Sequence, residues 1–148
     1  MGNVRVLIKR CRGNDDLPLP SFATEGSAGL DLSACIERDV RLMPGERMLI
    51  PTGFAVALPE GYEAQVRPRS GAALKLGLTM LNAPGTIDSD YRGEIKVIAV
   101  NHGKEPVTLK RGDRIAQMVI SQVPRIELIQ VEELPGTGRG SGGFGHSG

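Results

Sequence analysis

The sequence predicts an all-β domain of the sandwich or barrel type, with one short helix and a glycine-rich C-terminal tail. Its apolar runs are short, rich in β-branched residues, and separated by Gly and Pro at spacings of roughly ten residues. Such a pattern favours a sandwich or barrel over the βαβ units of a parallel sheet. Only 3% of the 148 residues are aromatic, so the core of this single domain must rest on Val, Ile, Leu, Met and Ala.

Eight apolar segments are predicted to be strands, and turn signals containing Gly or Pro separate many of them. The turn signals occupy residues 43–46, 58–61, 102–104 and 110–113. In chain order, the predicted strands cover residues 4–8, 30–35, 48–50, 54–58, 62–66, 95–100, 115–119 and 126–131.

One segment departs from the strand pattern. Good helix formers lie between Ser70, a candidate N-cap residue, and Gly77, a candidate C-terminal stop. We therefore predict a helix of two turns over residues 70–77.

The C-terminal tail has its own composition. After Pro135, seven of the last thirteen residues are glycine, and glycine loses more backbone entropy on ordering than any other residue. The sequence therefore predicts a folded domain over residues 1–135. Residues 136–148 are predicted to form a flexible segment that is disordered unless a ligand holds it.

Charge and hydropathy exclude several classes of partner. The chain has 18 basic and 17 acidic residues, and this balance disfavours a long nucleic-acid backbone while leaving room for a local basic pocket. No apolar run approaches the ~18 residues that a membrane span requires, so no membrane partner is expected.

The start of the chain and the cysteines bear on location. Basic residues interrupt the apolar stretches of residues 1–20, so no signal-peptide h-region is predicted. Cys11 and Cys35 are too few for a disulfide framework and lack metal-ligand spacing. We expect two reduced thiols in a cytoplasmic protein.

A candidate phosphate site lies where a predicted strand gives way to the helix. Arg69 offers bidentate donors, Ser70 a hydroxyl, and Gly71 a close approach to the backbone. Backbone N–H groups at a helix start also suit phosphate. The alternative is an ordinary capped helix beside a solvated arginine.

A candidate catalytic loop occupies residues 81–93. Asp88 could orient and deprotonate water if it lies within hydrogen-bond reach of the reacting group. Asn82 offers an amide for a base edge, and Tyr91 offers a ring for a sugar. Alternatively, the aspartates of this loop merely organise a hairpin turn, and Asn82 and Tyr91 are structural.

Two further segments contain candidate polar residues. Strand alternation places Asp31 on the face opposite its leucine neighbours, where it meets either solvent or a site. Arg114 and Gln117 allow the same two interpretations. In the tail, three residues could contact a nucleotide, although glycine-rich ends are commonly linkers. These are Arg139 for phosphate, Phe144 for stacking on a base, and Ser147 for phosphate oxygens.

Five of these segments occur in an order that resembles the trimeric deoxyuridine 5′-triphosphate nucleotidohydrolases (dUTPases) from end to end. Each segment alone is suggestive, whereas five in order over one short chain are specific. They are AGLDL at 28–32, RPRSG at 67–71, NAPGTIDSDYRG at 82–93, GDRIAQ at 112–117, and RGSGGFG at 139–145.

The resemblance implies a fold, an activity and a cofactor. The fold would be a distorted β jelly roll of the β-clip type, assembled as a homotrimer with three active sites at subunit interfaces. The activity would be Mg²⁺-assisted hydrolysis of dUTP to dUMP and pyrophosphate, with Mg²⁺ bound by the triphosphate. This reaction would keep uracil out of DNA and supply dUMP for dTMP synthesis.

The resemblance also implies residue roles. Asp88 matches the acid that activates the attacking water, and Tyr91 matches the ring that packs under deoxyribose and excludes a 2′-hydroxyl. Asp31 matches an acid that holds metal-bound water in the outer shell. Uracil and sugar would contact Asn82, Gly85, Thr86, Ile87 and Lys96. Phosphates would contact Arg69, Ser70, Gly71 and Gln117, and the lid would contribute Arg139, Phe144 and Ser147 to another subunit's site.

Two alternatives remain at this point. One is a dCTP deaminase-type enzyme of the same superfamily, which would need an acid positioned to deaminate the base, and no matching segment is found. The other is a catalytically silent nucleotide-binding trimer. Asp88, Tyr91 and the complete tail argue against a silent copy, because such a protein has no chemical need for them.

Overall fold

The computed structural model describes residues 2–146 as a predominantly β domain. Ten strands and one helix are present within these residues. In chain order they are β1 Leu7–Arg10, β2 Leu30–Ser33, β3 Val40–Leu42, β4 Arg47–Ala57, β5 Tyr62–Arg67, α1 Ser70–Leu76, β6 Leu78–Met80, β7 Gly85–Ile87, β8 Glu94–Asn101, β9 Val107–Leu109 and β10 Arg114–Gln122.

The strands form two four-stranded antiparallel sheets and a two-stranded ribbon. One sheet has the order β1-β4-β8-β6, the other has the order β2-β10-β5-β7, and the ribbon pairs β3 with β9. Most neighbours in space are distant in sequence, as expected of a jelly-roll type of chain path. Consequently, β2, β10 and β5 lie side by side although about eighty residues separate the first from the second.

One hydrophobic core joins the two sheets and the ribbon. Its side chains alternate with outward-facing residues along the strands, which is the sandwich pattern. Aliphatic residues dominate it, in agreement with the low aromatic content. The largest fully buried apolar members are Leu32, Leu42, Ile50, Ile95, Val97 and Met118.

The all-β fold predicted from the sequence is confirmed, and it takes the sandwich form. Within residues 2–146 the sheets stay open, so the barrel alternative does not describe them. The short helix is also confirmed, since it ends at Gly77 in a left-handed conformation with φ 68°. Its N-cap is Arg69 rather than Ser70, because Ser70 already has helical geometry and Arg69 is extended.

The strand predicted over residues 126–131 is wrong for this chain. Its residues carry the β-branched pattern, but within the described residues no strand pairs with them and they are strongly exposed: Ile126 is 77% and Leu128 89% accessible. A strand requires a hydrogen-bonding neighbour as well as propensity. Four three-residue strands were not predicted, namely β3, β6, β7 and β9, because they are too short to show a period.

Residues 137–146 form turns joined by local hydrogen bonds, such as Gly142 N–H to Arg139 O at 3.2 Å. The helix α1 is far too short to cross a membrane, and residues 2–146 contain no longer helix.

Candidate active site

The first candidate site is a cavity of about 550 Å³ beside the turn that connects β7 to β8, which we call the hairpin cavity. Its volume falls in the range of small-molecule sites. Its polar lining comes from one short stretch of chain and its apolar lining from the sheets. The lining residues are Leu49, Val66, Met80, Asn82, Gly85, Thr86, Ile87, Asp88, Tyr91, Gly93, Glu94, Ile95, Lys96 and Ile98.

Strand β7 forms one wall of the hairpin cavity. It pairs antiparallel with β5, with Gly85 opposite Val66 and Thr86 opposite Gln65. Ile87 belongs to the hydrophobic core and is 8% exposed, so its side chain packs in the core. The residue nevertheless lines the cavity. Hydrogen bonds to a ligand at this residue would therefore involve main-chain atoms.

Asn82 lies over Gly85 at the closed end of the wall. A Cβ atom added at Gly85 would come within 3.2 Å of Asn82 Nδ2, which is tighter than ordinary contact. Glycine at position 85 therefore allows the Asn82 amide to approach the β7 backbone. Because β7 is the edge strand of its sheet, this amide lies next to a strand edge that pairs with no other strand among the described residues, which suits recognition of a flat hydrogen-bonding edge.

The turn after β7 presents Asp88. A backbone hydrogen bond from Tyr91 N–H to Asp88 O, 3.2 Å long, closes the turn. Arg92 Nη1 donates to the carbonyl oxygens of Ser89 at 2.6 Å and Tyr91 at 3.0 Å. The turn is held by main-chain atoms of Asp88 and by the Arg92 guanidinium. The exposed carboxylate of Asp88 does not take part in these hydrogen bonds and is available to a ligand.

Tyr91 is fixed by a hydrogen bond and by a glycine. Its hydroxyl donates to Glu94 O at 3.0 Å, and a Cβ atom at Gly93 would meet Tyr91 Oη and lie 2.6 Å from its Cζ. The ring is nevertheless 46% exposed. Tyr91 is therefore a rigid, half-open aromatic wall of the hairpin cavity.

The second candidate site is a smaller cavity of about 250 Å³, which we call the phosphate cradle. Its lining residues come from the loop before β2, from β2, from α1 and its N-cap, and from β10. They are Ala23, Ser27, Ala28, Gly29, Asp31, Arg69, Ser70, Gly71 and Gln117.

The sheet order β2-β10-β5 builds the phosphate cradle. Gln117 in β10 stands between Asp31 of β2 and Arg67 of β5 in the strand register. Its side-chain Nε2 donates to Pro68 O at 2.9 Å. A Cβ atom at Gly29 would lie 2.6 Å from Gln117 Oε1, so glycine at this position leaves room for the amide.

Asp31 does not point into open solvent, which was one of the two predicted alternatives. Its side chain is 17% exposed and lies between two arginines. Arg69 Nε is 3.1 Å from Asp31 Oδ1, and Arg114 Nη1 is 3.3 Å from Asp31 Oδ2. Two guanidinium groups thus flank one carboxylate at the cradle, one of them in its lining, and this excess of positive charge suits an anion.

The structure brings together most of the residues predicted for the site, but in two groups. Within residues 2–146 no residue lines both the hairpin cavity and the phosphate cradle. The tail residues join neither lining: Arg139 Nε donates to Gly142 O at 2.6 Å, and Phe144 is fully exposed. Ser147 lies outside the described residues.

Sequence reasoning missed the structural parts of both cavities. The apolar wall formed by Leu49, Met80 and Ile98 comes from strands whose pairing the sequence does not show. Gly93 and Gly29 carried a signal that was not used, since a glycine beside a candidate site residue indicates a close approach. No local pattern in the sequence indicates that Arg114 contacts Asp31.

The described carboxylates also bear on metal binding. Residues 2–146 contain no group of three or more His, Cys, Asp or Glu side chains arranged to hold a metal ion. A Mg²⁺ ion that keeps several waters and takes its oxygens from a triphosphate needs no such group. Asp31 is the carboxylate of the phosphate cradle, so the residues present fit an outer-shell contact.

Comparisons with known proteins identify relatives of this chain in sequence and in structure. The dUTPase family model matches residues 15–148. A deoxyuridine 5′-triphosphate nucleotidohydrolase of Caldanaerobacter subterraneus is 60% identical over 141 residues, covering 95% of each chain. A variant of the Staphylococcus bacteriophage 80alpha dUTPase with dUpNHpp is 29% identical with a TM-score of 0.82, covering 97% of this chain and 98% of that one.

A second solved structure concerns a metal. A variant of the dUTPase from phage phi11 of S. aureus, described with the coordination of a structural Mg(II) ion, is 25% identical with a TM-score of 0.78. The match covers 89% of this chain and 99% of that one. From the family model and these relatives, which match almost the whole length of the fold described above, it follows that the chain belongs to the dUTPase family.

Proposed function

We propose that this chain hydrolyses dUTP to dUMP and pyrophosphate, with Asp88 activating the water that attacks the α-phosphate. The observation that supports it is the hairpin cavity, where an available carboxylate, an amide and a fixed aromatic ring line one nucleoside-sized space. The family membership makes the chain an enzyme of the dUTP diphosphatase type. Removal of dUTP keeps uracil out of DNA, and the dUMP formed serves dTMP synthesis.

The reaction step assigns the proton and the leaving group. The Asp88 carboxylate accepts a proton from water as the water oxygen bonds to the α-phosphorus. The bond from that phosphorus to the bridging oxygen of the β-phosphate breaks, and pyrophosphate leaves with the electron pair. Mg²⁺, the cofactor expected of this family, supplies charge neutralisation on the triphosphate when bound.

Base and sugar selection would come from the hairpin cavity. The Asn82 amide and the backbone of Gly85, Thr86 and Ile87 offer hydrogen bonds to one pyrimidine edge, with Lys96 at the rim. A site built to satisfy hydrogen bonds rejects a mismatched edge more strongly than apolar fit alone. The Tyr91 ring packs against Gly93, and in that position it would leave no space for a 2′-hydroxyl against the sugar.

Phosphate binding would come from the phosphate cradle. Arg69, Ser70, Gly71 and Gln117 present cationic, hydroxyl, amide and backbone donors around one cavity. Asp31 is placed to accept hydrogen bonds from water molecules around Mg²⁺. In the transition state, negative charge develops on the phosphate oxygens, and donors held in advance stabilise it without reorganising.

The separation of the two cavities supports an active site shared between subunits of a homotrimer. One dUTP molecule must meet both sets of residues, and copies of the chain would supply them to each other. Exposed apolar side chains support association, because monomeric proteins rarely leave such patches uncovered. Examples outside the tail are Leu7 at 73%, Leu74 at 87%, Ile126 at 77%, Leu128 at 89%, Ile129 at 74% and Leu134 at 85% exposure.

The tail is proposed to close the site as a lid formed by residues 136–148. Arg139 would pair with phosphate and Phe144 would stack on the base, with Ser147 as a further donor. The full exposure of Phe144 supports this role, because an aromatic ring in a glycine-rich segment gains most by covering a ligand. Cytoplasmic location stays a prediction, supported by the two free thiols Cys11 and Cys35.

A substrate panel tests the proposed function. The purified protein is incubated with dUTP, dCTP, dTTP or UTP in the presence of Mg²⁺, and pyrophosphate and ammonia are measured. Pyrophosphate from dUTP alone is the expected result. Ammonia from dCTP would indicate the deaminase alternative, which the relatives do not favour, and silence on all four would indicate the nucleotide-binding alternative.

A further inference from the structure

We infer that Arg114 is a positioning residue for dUTP hydrolysis, acting through Asp31 to hold Arg69 in the phosphate cradle. This inference rests on the proposed function, and it assigns a task to a residue that the reaction scheme leaves unused. Arg114 is not part of the cradle lining; its guanidinium reaches the carboxylate of Asp31 from the other side.

A local irregularity of the sheet puts Arg114 in this place. In the pairing of β10 with β2, Gln117 stands opposite Asp31 and Ala116 opposite Leu32, but Arg114 stands opposite Ser33. The register therefore slips by one residue between Arg114 and Ala116. Such a bulge re-aims side chains, and it is common next to active sites.

The slip decides which face Arg114 occupies. Residues two apart on a strand share a face, so Ser33 shares a face with Asp31. A regular ladder would put Ile115 opposite Ser33 and would turn Arg114 to the other face. The bulge instead leaves two successive residues, Ile115 and Ala116, buried at 4% and 0%, and returns Arg114 to the face of Asp31.

The two arginines divide the carboxylate between them. Arg114 Nη1 is 3.3 Å from Oδ2 of Asp31, and Arg69 Nε is 3.1 Å from Oδ1. With Oδ2 engaged by Arg114, the carboxylate plane cannot rotate freely, and Oδ1 stays directed at Arg69. Arg69 is then anchored through Nε, which leaves its two terminal nitrogens for phosphate oxygens.

Burial indicates which members of the cluster touch the ligand. Asp31 is 17% and Arg69 29% exposed, whereas Arg114 is 56% exposed. Arg69 and Gly71 line both the cradle and the neighbouring groove along β9 and α1, whereas Arg114 lines only the groove. Arg114 is thus the outer support of the cluster, and its effect on phosphate passes through Asp31.

A double-mutant cycle tests this inference. Arg114→Ala, Asp31→Asn and the combined variant are compared for binding of dUpNHpp and of dUMP by calorimetry in the presence of Mg²⁺. We expect Arg114→Ala to weaken dUpNHpp about fivefold and dUMP hardly at all, because the cradle serves the phosphate chain. In the Asp31→Asn background, Arg114→Ala should have little further effect, since its partner is already lost.

Conservative and control variants separate positioning from folding. Arg114→Lys should recover only part of the dUpNHpp affinity, because an ammonium cannot reproduce the planar guanidinium contact. Arg111→Ala removes another partly exposed ion pair, Arg111 with Asp16, and should lower thermal stability without changing the dUpNHpp-to-dUMP affinity ratio.

Three outcomes would overturn the inference. Additive effects of Arg114→Ala and Asp31→Asn would show that Arg114 acts on the ligand directly. An equal loss of dUMP and dUpNHpp affinity would show a general structural role, and unchanged affinity for both would show no role. Failure of the wild-type chain to bind dUpNHpp would instead count against the proposed function, so the two failures are distinguishable.

Discussion

The hairpin cavity and the phosphate cradle are built in opposite ways. The polar residues of the hairpin cavity lie within residues 82–96 and are held by main-chain hydrogen bonds and by glycines at positions 85 and 93. The cradle takes Asp31 from β2, Arg69 from the N-cap of α1 and Gln117 from β10, and holds them through side-chain contacts. The polar part of the hairpin cavity is therefore set by local backbone. The cradle, in contrast, depends on the order and register of the strands.

This comparison teaches where each kind of selectivity resides. Recognition of base and sugar needs fixed shape, and backbone with glycine provides it at small cost in side-chain entropy. Recognition of a flexible, highly charged triphosphate needs cationic side chains. Cationic side chains that lie close together in a partly buried place repel each other, and a carboxylate between them offsets that repulsion. Two of the predictions below test the hairpin cavity, one tests the tail, and one tests an ion pair outside both cavities, in decreasing order of expected effect.

The largest effect is expected at Asp88. Asp88→Asn should lower kcat by about a thousandfold or more, because the amide cannot accept the proton of the attacking water. Affinity for dUpNHpp should stay close to wild type, since the hairpin backbone is unchanged. Pyrophosphate release and calorimetry measure the two quantities. The matched control is Asp90→Asn in the same turn, and equal losses for both variants would remove Asp88 as the specific base.

The next effect is expected from the tail. Deleting residues 138–148 should lower kcat/KM by about a hundredfold, because closure over the nucleotide is lost. The melting temperature should change little, since the hydrogen bonds described for residues 139–146 lie within the tail. Steady-state assays and calorimetric melting give both values. A fully active truncation would exclude the lid.

A smaller effect is expected at Gly93. Gly93→Ala should displace the Tyr91 ring and lower kcat/KM for dUTP about tenfold, while the preference for dUTP over UTP narrows. The rates on the two nucleotides are measured side by side. Gly26→Ala is the matched control, because a Cβ atom at Gly26 meets nothing within 4 Å. An unchanged preference in Gly93→Ala would show that Tyr91 does not read the sugar.

The smallest effect concerns stability and pH at the ion pair of Asp16 with Arg111. The hydrogen bond from Arg111 holds the pKa of the Asp16 carboxyl below its ordinary value of 3.8. A carboxyl with a depressed folded-state pKa contributes stability above the unfolded-state pKa and loses it as the pH falls through the folded-state pKa. Asp16→Asn should therefore melt slightly earlier than wild type at pH 7.

The same pair should lose its effect in acid. The melting difference between wild type and Asp16→Asn should persist from pH 7 to about pH 5, begin to fall near the ordinary pKa of 3.8, and disappear once the pH is below the depressed folded-state pKa. Thermal melts across this range provide the measurement, with Asp15→Asn as a control on the same exposed loop. A difference that grows on acidification would contradict the assignment.

The fold was predictable in its class and less so in its details. Long alternating segments such as β5 and β8 carry enough period to be recognised, and Ser70 to Gly77 carries a helix with a glycine stop. Strands of three residues, such as β7, show no period, yet β7 forms a wall of the hairpin cavity. The segment 126–131 shows the reverse error, because β propensity without a partner strand makes no sheet.

The sequence by itself determined the family, the all-β class and the group of residues around Asp88. That group could be predicted because residues 82–93 are close in the chain and their positions depend on backbone geometry, which glycine and turn residues encode. Only the tertiary structure decided that Asp31 lies between Arg69 and Arg114 and that hairpin cavity and cradle are separate. The physical reason is that side chains about eighty residues apart meet only through strand order and register, and a one-residue bulge suffices to change the face on which Arg114 stands.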